Sequence, residues 1–103
     1  MSEYPKNYNW LVNKFDKVMK AHQNLGKELS DAGPLNEKDG QLIKLAAAAA
    51  IRSEGAVHSH CKRALKAGAQ PDEIFHALIL LTSTIGFPAV AAAVSWAKEV
   101  LEG

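Results

Sequence analysis

The sequence predicts an all-α fold, a bundle of about five helices, and three features of it carry that reading. Apolar residues recur at steps of three and four along most of its 103 residues. Helix starts and stops (Pro5, Pro34-Leu35-Asn36, Ser53, Gly68, Pro71, Gly86-Phe87-Pro88) punctuate the chain at helix-length intervals. No stretch shows the period-two alternation of a half-buried strand, and no internal repeat is apparent.

The elements follow in order. Leu11, Phe15, Val18, Met19, His22, Leu25 and Leu29 form one amphipathic stripe, so a long helix is expected from about Asn7 to Leu29. Asp31-Ala32-Gly33-Pro34 ends it. His22 reads as a hydrogen-bonded core or edge histidine. A second helix opens at Asn36, whose side chain suits the cap, with Glu37 and Asp39 favoured by the dipole of the first turn. Gly40 is an interior liability of about 1 kcal/mol relative to alanine. Leu42, Ile43, Leu45 and Ile51 bracket the run Ala46–Ala50, whose small side chains let neighbours approach closely, so this is read as the central helix.

The third helix, in Ser53–Gly68, is the chemically dense one. Glu54, His58, His60 and the lone Cys61 fall within eight residues. Glu54, His58 and Cys61 share a side at i, i+4, i+7, and Val57, Cys61, Ala64 and Leu65 mark the apolar stripe. Glu54 and His58 then flank one edge of the stripe and His60 the other, while Lys62, Arg63 and Lys66 face water. Two readings stand: a catalytic or binding cluster, or polar groups satisfied at a subunit interface. Glu54, His58 and Cys61 have a ligand-like spacing, but His58 and His60 point opposite ways, so no metal and no cofactor are assigned.

A fourth helix starts at Gln70-Pro71-Asp72-Glu73, with proline at its first position and acids in its first turn. It is apolar nearly all round through Leu81, with His76 as the exception. One stripe serves the monomer core, so Phe75, Ile79 and Leu80 call for another cover, and the natural one is a second copy of the chain. His76 reads as an interface histidine. The last helix, Pro88 to about Leu101, buries Ala89, Val90, Ala93, Val94, Trp96, Ala97, Val100 and Leu101.

Composition narrows the functions. A formal charge of +1 with scattered lysines argues against nucleic acid or an acidic membrane as partner. One cysteine excludes an intrachain disulfide and a CxxC redox pair, which suits a reducing compartment. No apolar run is long enough to span a bilayer, and MSEYPKNYNW lacks the form of a signal peptide, so a cytoplasmic location is expected.

Several segments together resemble the carboxymuconolactone decarboxylase family, relatives of the alkylhydroperoxidase D-like proteins. They are Leu35-Asn36-Glu37-Lys38, Gln41 to Ala46, His60 to Ala69, Pro71-Asp72-Glu73-Ile74 and Gly86-Phe87-Pro88-Ala89. The resemblance runs from Gly33 to Leu101 and divides the chain into an N-terminal helix with its lead-in (1–33) and a helical core (34–103), one domain overall. It implies a homo-oligomeric ring, a trimer or hexamer. The peroxidase branch of that superfamily has cysteines where this chain has Ser53 and Ala56, and a glutamate where it has Gln41. A thiol peroxidase needs an activated thiolate and a resolving thiol, so that activity is disfavoured. The decarboxylase branch implies His60 as the proton-handling group. From their spacing on the helix, His58 and Glu54 are read as assisting it, and Arg52, just ahead of that helix, as the anchor for a small carboxylate or lactone. The alternative is a non-catalytic or accessory oligomer built on the same fold.

Overall fold

The computed structural model describes residues 5–103; the first four residues of the segment read as carrying no leader lie outside it. Seven helical segments follow one another, and the described residues contain no strand: α1 (Lys6–Lys14), α2 (Asp16–Asp31), α3 (Glu37–Ala50), α4 (Glu54–Lys66), α5 (Pro71–Ile79), α6 (Thr82–Ile85) and α7 (Phe87–Glu102). They group into two compact units, one ending at Pro34 and one starting at Leu35. No helix among the described residues is long and apolar enough to cross a membrane.

The first unit corrects the expectation of one long helix. Phe15 leaves helical geometry at φ −123°, ψ 56°, and the chain folds back there. A continuous helix would separate Tyr8 from Gln23 by roughly 22 Å. Instead Gln23 Nε2 donates to the Tyr8 hydroxyl at 3.2 Å. The same helix would set Trp10 and Phe15 about 140° apart, yet their rings meet edge to face, with centroids 6.1 Å apart. That aromatic pair spans the break and repays part of the lost helical geometry. His22 is exposed rather than in a core, as are Val18, Leu25 and Leu29.

The second unit holds the core. Asn36 caps α3, its Oδ1 accepting from the Asp39 N–H at 2.8 Å. One face of α3 then buries Gln41, Leu45, Ala48 and Ala49, while Ala47 and Ala50 stay exposed. The alanine run therefore gives close approach on one side only. Helix α4 packs between α3 and α7 and buries Val57, Cys61 and Ala64; α5 adds Ile74 and Leu78, and α7 adds Ala93 and Ala97. Lys38 on α3 pairs with Glu73 on α5 at 2.9 Å, and Glu73 also accepts from the Gln70 N–H, joining the starts of two helices. The fourth helix of the sequence reading stops at Ile79; a one-turn α6 follows before Gly86 turns at φ +90° into α7.

Candidate functional site

Helix α4 presents two polar clusters, one toward α3 and one toward α7. Its register is fixed at both ends: Ser53 Oγ accepts from the Ala56 N–H at 3.4 Å, and Gly68 closes it at φ +101°. With Val57, Cys61 and Ala64 locked into the core, His58 and His60 must leave the helix on opposite flanks.

His60 meets α3. Its Nδ1 lies 2.8 Å from Gln41 Oε1, and Gln41 Nε2 donates to Glu37 Oε1 at 2.9 Å. Gln41 is almost fully buried, so its amide requires partners on both ends. The carboxylate of Glu37 only accepts, which turns the amide oxygen toward the imidazole; that oxygen has no proton, so Nδ1 of His60 carries it. The basic lone pair of the neutral ring therefore sits on Nε2. Partial burial first, and then the charges of Arg63 and Lys44, hold the pKa of His60 below the ordinary histidine value. It is a neutral imidazole at pH 7, oriented by a buried amide and flanked by two cations.

His58 meets α7. Its Nε2 lies 3.1 Å from Glu99 Oε2, and Glu54, one turn earlier on α4, reaches the same place. The structure therefore divides the residues picked out by sequence: Glu54 and His58 join Glu99, whereas His60 joins Gln41 and Glu37. Cys61, on the same helical face as Glu54 and His58, is turned fully into the core, and burial pushes its thiol up to about 11. It is no nucleophile at neutral pH. A disulfide-forming thiol reagent should accordingly leave the native protein unmodified for hours and label one thiol per chain within minutes in denaturant. Rapid labelling of the native protein would contradict this burial.

Arg52 is exposed and occupies a strained position, at φ +56°. It stands where α3 ends: the Ser53 N–H reaches Ala48 O at 3.0 Å and the Arg52 N–H reaches Ala49 O at 3.1 Å. At the end of α4 the same pair of bonds surrounds Gly68, the residue that this left-handed position favours. Arg52→Gly should therefore stabilise the protein by about 0.5–1 kcal/mol, measured by urea unfolding. Unchanged or lower stability would mean that the side chain makes compensating contacts.

Gln41 and Glu99 were missed by sequence reasoning. Gln41 had a usable signal, because it stands four residues before Leu45 and seven before Ala48 and so continues their buried stripe. Lys44, and Arg63 despite its solvent exposure, are close enough for their charges to act on His60. The family model described as Carboxymuconolactone decarboxylase family matches residues 16–99. The chain belongs to the carboxymuconolactone decarboxylase family. The match covers most of both units and includes every site residue named above. No curated protein matched the chain. The chain has a single cysteine, Cys61, and it is buried in the core, so no CxxC pair is present.

Proposed function

We propose that this carboxymuconolactone decarboxylase family member binds a small carboxylate- or lactone-type anion beside His60 and uses the imidazole Nε2 to handle a proton. The observation that carries this reading is the Glu37–Gln41–His60 chain, which fixes the tautomer and aims the basic nitrogen away from α3. Lys44 and Arg63 supply positive charge beside the ring, and Arg52 offers a further anchor at the start of α4. Binding of an anion there offsets the two cations and restores the affinity of Nε2 for a proton. When a C–CO₂ bond of the bound molecule breaks, its electron pair passes into the conjugated enolate and CO₂ leaves. The imidazole, having taken up a proton at Nε2 from water once the anion is bound, gives that proton to the carbon and is then reprotonated from water. Calorimetric titration with small mono- and dicarboxylates and their lactones tests the binding step: one site per chain, lost in Lys44→Gln/Arg63→Gln, is expected, and no heat from any of them would count against the reading.

A homo-oligomer is part of the same proposal. Ile79 at the end of α5 and Leu80 just after it are 51% and 62% exposed, and Ile43, Ile51 and Phe87 add to the uncovered apolar surface; Phe75, expected to need the same cover, packs instead against the chain's own core. Exposed apolar surface of this size on a small chain favours self-association. These faces also support the second reading, an accessory oligomer without turnover, which the same calorimetry distinguishes by an absence of anion binding.

A further inference from the structure

We propose that Glu54, His58 and Glu99 bind one divalent transition-metal ion between α4 and α7. Their ligand atoms all lie within 4.8 Å of one another. One pair, His58 Nε2 and Glu99 Oε2, is 3.1 Å apart. Two ligands bonded to one metal at about 2.0–2.2 Å and near-tetrahedral or octahedral angles stand roughly 3.0–3.6 Å from each other. The spacing is thus that of two corners of one coordination sphere.

A second observation concerns the nitrogen itself. The imidazole is partly exposed, but its Nε2 is closed off from water and has no hydrogen-bond partner. The nearby Glu99 oxygen is at hydrogen-bonding distance but off the direction that an N–H donor requires, so the contact is proximity without a bond. A shielded imidazole nitrogen facing two carboxylates is uncompensated as a neutral acceptor and is satisfied by a cation held among the three groups.

The scaffold suits the task. Val57 and Cys61 on α4 and Ala93 and Ala97 on α7 are fully buried, which fixes the two backbones. Glu54 and Glu99 are exposed and free to turn through the small distance that closes the sphere. One nitrogen and two carboxylate oxygens form a borderline-to-hard donor set, which suits Zn²⁺ or Mn²⁺ and leaves positions for water. This departs from the expectation of no metal, and it does not rest on the proposed chemistry at His60, which lies on the other flank of α4.

The test is titration of untagged, chelator-treated full-length protein with Zn²⁺ and, separately, Mn²⁺, followed by calorimetry and by the ¹⁵N resonances of the histidine rings. The expected result is one ion per chain at micromolar or tighter affinity, with Zn²⁺ moving the His58 Nε2 resonance and leaving His60 in place. His58→Gln should weaken binding at least 100-fold and Glu99→Gln at least 10-fold, while His22→Gln and His76→Gln leave it unchanged. Glu99 is exposed, so its variant folds and keeps the experiment decisive. Absence of binding below millimolar metal would overturn the proposal, as would binding that survives in His58→Gln/Glu99→Gln.

Discussion

His60→Gln should keep the fold and the oligomer and reduce turnover by on the order of 10²-fold or more. Glutamine matches the size of the ring and can still bond to Gln41, so the half-buried position stays filled and the α3–α4 contact survives. What it lacks is a group that takes up and releases a proton near neutral pH. The loss should therefore fall on kcat, with KM for the anion nearly unchanged, because Lys44 and Arg63 remain. Gln41→Leu makes a useful contrast. It leaves the imidazole in place but removes the acceptor that fixes Nδ1–H, so activity should fall less and the pH profile should shift. A His60→Gln enzyme with full kcat would move the chemistry elsewhere.

Ile79→Glu should convert the oligomer to monomer or to aggregate without unfolding the chain. Ile79 is 51% exposed in the single chain, so a carboxylate there meets water and changes stability by less than about 0.5 kcal/mol. Inside a subunit interface the same carboxylate would be buried and unpaired, which costs several kcal/mol. Light scattering at micromolar concentration separates the two proteins. Wild-type protein should run at a small, discrete multiple of 11.1 kDa, and the variant at 11.1 kDa or as polydisperse aggregate. A wild-type monomer would contradict self-association and leave Ile79 and Leu80 to another partner.

Most helix ends were legible in the sequence, because they are written in local chemistry. Asn36 and Ser53 accept from backbone N–H groups as cap residues do, Pro71 opens α5, and Gly68 and Gly86 take positive φ where helices stop. The break at Phe15 was not legible, since the apolar stripe runs through it without a fault. It rests on contacts between residues on either side of the break, Trp10 with Phe15 and Tyr8 with Gln23, and periodicity carries no information about such contacts.

The same distinction governs the site. Helical geometry placed His58 and His60 on different flanks of α4, and the structure gives each flank a different neighbour. What sequence spacing could not provide was the identity of those neighbours. Glu99 lies more than 40 residues from His58 and looks like any solvated charge near a helix end. Arg63, read as facing water, is exposed, yet it acts on His60 three residues earlier through its charge. Gln41 is the instructive case. It reads as a departure from the peroxidase pattern, and its structural role is to hold the imidazole in one tautomer.

The most direct measurement of that role is a two-dimensional ¹⁵N spectrum of the histidine rings across pH, with and without a small dicarboxylate. His60 should show a protonated Nδ1 and a bare Nε2 at pH 7, titrate below the ordinary value of about 6.5, and move upward when the anion binds. A His60 ring protonated at Nε2, or one titrating at the ordinary value and unmoved by any carboxylate, would contradict the account.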